Sequence, residues 1–377
     1  MKTMKQITAI FLALILALSL AACSTPTENP PADSKENNES PELPATGPAS
    51  AASSLEGKKV GIAIREIVND FDRDIIAGAQ ELIEAGGGAV TVVDTGADVG
   101  KHNENIENLI NSGVDGIVII LGDAQQMAPV VEKAEAAGIP VVTCAIMSHV
   151  PGSLTDVSAD EILVSTLCSR MLLSAMDFSG DLYAFWVPGA PLLEQRKRAL
   201  EAMLVDFPQV NLIEVPTEHN PAKVQSQMED ILTANPDAGS IAGVWVAYDQ
   251  LGTGAYQAIM NAGRNEIKMA SCDGDKISYQ MLFAEDSPLV AIGCEDVKKI
   301  GTIGAEVLIR AIQGEDVSAV PQSMYTTAFG ANRNNGIAAA EVRYGSEVWD
   351  ELGLDSAEIA KAFPQTQDVY VVQPVLP

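Results

Sequence analysis

Positive charge is scarce in this chain: 23 Lys and Arg stand against 51 Asp and Glu, a formal net charge of −28. Such an excess repels phosphate backbones and anionic lipid surfaces, so nucleic acid is excluded as a partner. Histidine is nearly missing, with only His102, His149 and His219. The cysteines beyond Cys23, which are Cys144, Cys168, Cys272 and Cys294, follow no zinc-ligand spacing, and neither a metal nor another cofactor is expected. No G-x-S-x-G elbow, H-E-x-x-H pair or phosphate-binding glycine loop occurs, so no enzyme class is indicated. With 51 carboxylates, no pair of them singles itself out as an acid and base. No apolar run reaches the roughly 20 residues that a membrane-crossing helix needs.

The nearest approach to such a run is at the start. Ile7 to Ala22 is mostly apolar, Lys2 and Lys5 precede it, and small residues lead into Cys23. This is the layout of a secretory signal. The stretch "LAAC" resembles the lipobox of bacterial lipoproteins, which implies cleavage before Cys23 and a diacylglyceryl group on its thiol; two acyl chains suffice for stable anchoring. An ordinary signal peptide with a cysteine nearby is the alternative. Residues 23–56 then form a tether, rich in Pro, Ser, Asn and Glu, too poor in apolar surface to offset the entropy of ordering.

The remaining body, about 320 residues, is too long for one typical core and suits two lobes. It alternates strand and helix patterns. Continuous Val/Ile runs such as "KKVGIAI", "AVTVVD", "GIVIIL" and "IPVVTCAI" predict buried parallel strands, and glycines mark the helix ends between them. A second series carries "LYAFWV", "VNLIEV", "IAGVWVA", "IKMASC" and "LVAIGC". Two doubly wound, Rossmann-like α/β lobes follow, with ligand space outside the carboxyl ends of their strands. The four body cysteines are expected as free buried thiols.

At "VDGIVII", "AEAAGIPVVT", "YDQLGTGAYQAIMNAGR" and "SCDGD", in this order, the chain resembles the type I periplasmic binding proteins of the ribose and galactose kind, over roughly residues 57 to 330. The resemblance implies an α/β fold with a three-crossover hinge, the crossovers falling near 147–160, 291–296 and 320–327. The first lobe becomes 57–155 completed by 295–322, and the second 156–294 completed by 323–377. It further implies an extracytoplasmic, lipid-anchored, monomeric binding protein of an ABC importer that delivers a sugar-like molecule to a permease. The segment after about 330 has no role under the resemblance.

A sugar presents hydroxyls around apolar C–H faces, so its site needs aromatic planes and carboxylate, amide or guanidinium partners. In "REIVNDFD", Asn69 and Phe71 match a family motif of Asn-Pro-Phe-Phe, whereas Asp70 and Asp72 depart from it; a helix cap and a core ring are the structural alternatives. In "PGAPLLEQRKR", Arg196 aligns best with a ligand-binding arginine, with Arg198 as the fallback. Trp186 at a strand end stacks on a sugar or fills the core. Tyr248 and Asp249 stand where the ribose type has Asn-Asp, and Asp273 follows a strand as a hinge-facing carboxylate or a helix cap. Cys294 replaces a glutamine. The Asp-Arg pair that closes the fourth strand in ribose-type proteins is here Ala145 and Ile146, which leaves a less polar wall and admits a polyol, deoxysugar or furanose. A sensor module that presents its loaded form to a membrane receptor, and an exported carbohydrate-active enzyme, are the rival functions; repressors of the same fold are excluded because no helix-turn-helix precedes the body.

Overall fold

The computed structural model describes residues 55–96 and 98–366. The expected signal segment, the lipidation site Cys23 and almost the whole tether lie outside the described residues. Leu55 corrects the tether's end. It is fully buried in the first core, and its amide donates to the Gly86 carbonyl at 2.7 Å, so the folded body begins there. Among the described residues no helix is long and apolar enough to cross a membrane.

The Val/Ile runs form the strands expected of them, because residues buried on both faces of a sheet leave no room for alternating polarity. In the first lobe β1 (Lys59–Ile64), β2 (Ala89–Asp94), β3 (Gly116–Ile120), β4 (Val141–Cys144), β5 (Asp156–Ala159) and β11 (Ser323–Thr326) lie in the order β11-β5-β4-β3-β1-β2, all parallel. Helices α1 (Asp70–Ala85) and α9 (Val297–Ile312) cover one face, with Ile62, Ile75 and Ile300 in a shared layer. Helices α2 (Val99–Asn111) and α3 (Ala124–Ala136) cover the other, around Ile106, Ile117 and Val131. Two glycines set how closely α1 and α9 meet: a Cβ on Gly78 would lie 1.9 Å from the Lys298 carbonyl, and one on Gly301 1.9 Å from that of Ile75.

The second lobe repeats the plan. Strands β6 (Gly180–Trp186), β7 (Val210–Pro216), β8 (Gly243–Val246), β9 (Lys268–Asp273), β10 (Leu289–Glu295) and β12 (Ala328–Ala331) take the order β12-β10-β9-β8-β6-β7, with only β12 antiparallel among the described strands. Its helices are α4 (Glu161–Ala175), α5 (Pro191–Leu204), α6 (Pro221–Ala234), α7 (Asp249–Asn261) and α8 (Lys276–Phe283). Three short helices follow, α10 (Gly336–Tyr344), α11 (Val348–Leu352) and α12 (Ser356–Ala362), and insert Ala339, Trp349 and Ile359 into this lobe's core.

The chain passes between sheets three times, and two of the passages are helix caps. Asp160 links β5 to α4 and accepts from the Leu163 amide; Asp296 links β10 to α9 and accepts from the Lys299 amide. Thr327 separates β11 from β12. The lobe boundaries therefore shift from those expected. Residues 156–159 pair with β4 and β11 in the first sheet, residues 323–326 join them there, and Glu295 closes a strand of the second sheet.

Candidate functional site

Setting the outer strands β11 and β12 aside, both sheets run in the order 2-1-3-4-5, so each has one switch point, where neighbouring strands send their connections to opposite faces. In the first lobe that point lies between β1 and β3, which end at Ile64 and Ile120; in the second it lies between β6 and β8, which end at Trp186 and Val246, with Tyr248 capping the helix that follows β8. Backbone strain collects at the carboxyl ends of the sheets too, after β3 and β4 in the first lobe and in the last residue of β9 in the second. Leu121 (φ 59°), Ala145 (φ 57°), Met147 (φ 65°) and Asp273 (φ 108°) hold left-handed conformations that side chains disfavour. Residues are kept in such conformations where the surroundings over-determine them, and these cluster at binding sites.

Polar groups from the two lobes meet here. Tyr248 is 7% exposed, and its hydroxyl shares a hydrogen bond of 2.9 Å with Nδ1 of His219, which follows β7. Burial raises the phenol pKa above its usual value, and the carboxylates of Asp273 on its own lobe and of Glu66 and Asp72 on the other add to the rise. The His219 imidazole is held below its ordinary range by partial burial; Glu66 pulls it up and Arg65 pushes it down. Leu192, in the first turn of α5, packs against the cores of both lobes.

Behind this front lies a charged knot. Arg196, its side chain 1% exposed, donates from Nε to Glu161 at 2.5 Å, from Nη1 to Asp273 Oδ1 at 2.5 Å and the Ala247 carbonyl at 2.9 Å, and from Nη2 to Glu295 at 2.9 Å. Glu161 is the first residue after one crossover and Glu295 the last before another, so one guanidinium ties the start of α4 and the end of β10 to the loop that carries Asp273. Burial lifts the carboxyls, Glu161 to about 7, Asp273 to about 6 and Glu295 to about 8, against the downward pull of Arg196. Glu161 Oε1 and Glu295 Oε2 have no hydrogen-bond partner among the described residues, which suits a protonated carboxyl better than an ionised one.

The eight expected ligand contacts separate into three groups by position. Tyr248 and Asp273 stand at strand ends on the second lobe, and Trp186 beside them is 7% exposed, with its Nε1 3.4 Å from Glu194 and the Lys197 ammonium 4.6 Å above its ring. Asn69 accepts from the Asp72 amide as the cap of α1, and Phe71 packs in the first core, which matches the structural alternative for each. Asp249 is fully buried and accepts from the Ser271 hydroxyl and, at 2.7 Å, from the Asp275 amide. Cys294 is fully buried beneath Gly274, 3.4 Å from the Tyr279 hydroxyl. Arg196, Asp249 and Cys294 thus support the loop 273–275 from behind. Ala145 and Ile146 are buried, as a less polar wall requires. All four body cysteines are free and buried, with the sulfurs of Cys168 and Cys272 3.5 Å apart.

Sequence reasoning missed His219, Glu161 and Glu295. His219 had a findable signal, a lone imidazole just past an expected strand end; the two glutamates looked like any others among 51 acids.

The geometry agrees with comparisons to known proteins. Residues 60–316 match a family model described as a periplasmic binding protein domain. The chain is 25% identical over 315 residues to the ribose import binding protein of Bacillus subtilis, covering 83% of this chain and 95% of that protein. It is 22% identical over 282 residues to the xylitol-binding protein of Mycolicibacterium smegmatis, covering 74% and 79%. An ABC transporter solute binding protein from Agrobacterium vitis, solved with bound allitol, superimposes with a TM-score of 0.70 at 27% identity, over 77% of this chain and 100% of that one.

Proposed function

From the premise that the chain belongs to the periplasmic binding protein family, with the two α/β lobes of its type I members, we propose that it captures a sugar or polyol in the cleft between its lobes and passes it to an ABC permease. The observation that carries this reading is that strained backbone and polar groups gather at the carboxyl ends of the strands in both lobes, which three thin crossovers join. Tyr248, His219 and Asp273 supply hydrogen bonds to hydroxyls, Trp186 and Tyr248 supply rings for C–H faces, and Asn69 and Phe71 contribute from the first lobe what surface they keep. Arg196, Asp249 and Cys294 position the others. The apolar wall at Ala145 and Ile146 favours a polyol, deoxysugar or furanose over a fully hydroxylated pyranose, since it offers that face of the ligand no charged pair.

A thermal-shift screen of ribose, xylitol, allitol and related sugars and polyols tests the reading. A ligand at a hundred times its dissociation constant stabilises by about 2.7 kcal/mol. A clear rise in melting temperature with one narrow class is expected, and recovery of the compound unchanged separates binding from turnover. A flat response across sugars and polyols, with a rise for an unrelated class, rejects the assignment.

The same reading includes a lipid anchor at Cys23. Cys23→Ala is expected to move the protein from the membrane fraction to the medium or to stall its processing. A variant that fractionates and migrates like the parent removes the anchor from the proposal.

A further inference from the structure

The family match stops at residue 316, yet the segment beyond it reaches the centre of the molecule. Helix α10 seats Ala339 and Ala340 in the second lobe's core, and from its last turn Arg343 extends with a side chain 1% exposed. Its Nη1 donates to the backbone carbonyl of Asp273 at 2.8 Å. Its Nη2 donates to Asp275 at 3.1 Å and, across the lobes, to Asp74 on α1 at 2.9 Å. The neighbouring Tyr344 hydroxyl donates to the Gly274 carbonyl at 3.2 Å. The loop 273–275 is therefore held by Arg196 on one side and by the C-terminal segment on the other.

We propose that Arg343 is a positioning residue and interlobe clasp: it fixes the loop that carries Asp273, and through Asp74 it biases the ligand-free chain toward closed lobes. Of its three acceptors, two move with the second lobe and only Asp74 belongs to the first. When the lobes part, Arg343 keeps Asp275 and the Asp273 carbonyl but loses Asp74. The Arg343–Asp74 bond is thus a contact present in one state and absent from the other, which is what shifts a two-state population. The guanidinium is buried and the Asp74 side chain is 28% exposed, so water screens this pair less than a surface ion pair. The proposal does not depend on which ligand enters the cleft.

Asp74→Asn is the informative change, because Asp74 is partly exposed and its replacement leaves no buried charge alone. Small-angle scattering of the ligand-free full chain reads the result. The open-to-closed ratio is expected to rise roughly tenfold, the scale of one charge-assisted hydrogen bond, seen as a larger radius of gyration at an unchanged far-ultraviolet circular dichroism spectrum. Arg343→Lys, which keeps the charge but cannot fork to both acids, should give a smaller expansion. Glu81→Gln is the control. It removes an ion pair from the same helix, but its partner Lys298 lies on α9 within the first lobe, so the scattering should not change. A curve for Asp74→Asn that superimposes on the parent, or an equal expansion in Glu81→Gln, overturns the clasp.

Discussion

Arg196→Met is expected to lower the unfolding free energy by about 3–5 kcal/mol at pH 7.5, the usual cost of removing one partner from a buried ionic network. Methionine fills much of the arginine's volume, so the loss reports charge and hydrogen bonding more than a cavity. It strands Glu161, Asp273 and Glu295 without their shared cation, and the Ala247 carbonyl without a donor. The pH dependence identifies the cause. These three carboxyls already have folded pKa values near 7, 6 and 8, above the roughly 4 of the unfolded chain. Acids raised in the folded state bind more protons there than when unfolded. Their contribution to stability is complete below about pH 4 and is lost as pH climbs through 6 to 8. Without Arg196 the folded values rise further, so the variant should regain much of its deficit at pH 5, where the carboxyls are neutral. Urea melts of both proteins at the two pH values measure this. A deficit under about 1 kcal/mol, or an equal deficit at both pH values, rules out the hub.

The same network shows where sequence reading stops. The long Val/Ile strands were legible because a residue run buried on both faces carries its own signature; β2 and β3 fall within one residue of expectation. Strand β5 was not, because "DVSA" carries a polar pair into the interior. Asp156 is 1% exposed and is satisfied there by the Thr143 and Ser158 hydroxyls and the amides of Ile146 and Met147. That satisfaction comes from a strand end about ten residues away, which no local pattern announces. Missing it displaced the lobe boundary. At the site, the family motif located Arg196 and Asp273 by position, but not the bond that joins them. The acidic partners of Arg196 lie 35, 77 and 99 residues off in the chain, and only the fold reveals that they engage it. Arg343 lies beyond residues 57–330, over which the sequence resembles the family, so its bridge between the lobes is read from the coordinates alone.

Those roles bear on how Asp273 acts once a ligand is present. Its Oδ1 is engaged by Arg196, its backbone carbonyl by Arg343, and its left-handed φ is held by these two anchors. Such a residue is aimed in advance, so a ligand hydroxyl meeting its carboxylate need not bear the entropy of ordering it. For the sugar or polyol that the screen returns, Asp273→Ala should weaken binding by about 1–3 kcal/mol, or roughly 5- to 150-fold, because the closed cleft leaves the hydroxyl unpaired. Asp273→Asn, which keeps an acceptor but not the charge, should fall between alanine and the parent. Protonation offers a check that needs no substitution. With its pKa raised to about 6 by burial, the parent carboxyl is ionised at pH 7.5 and mostly neutral at pH 5. A neutral carboxyl has lost acceptor capacity, so affinity should fall as pH drops through 6, and in Asp273→Asn this part of the fall should vanish. Calorimetry on the three proteins at both pH values decides it. If Asp273→Ala binds as tightly as the parent while unfolding more easily, the carboxylate serves Arg196 alone, and ligand selection lies with Tyr248 and His219.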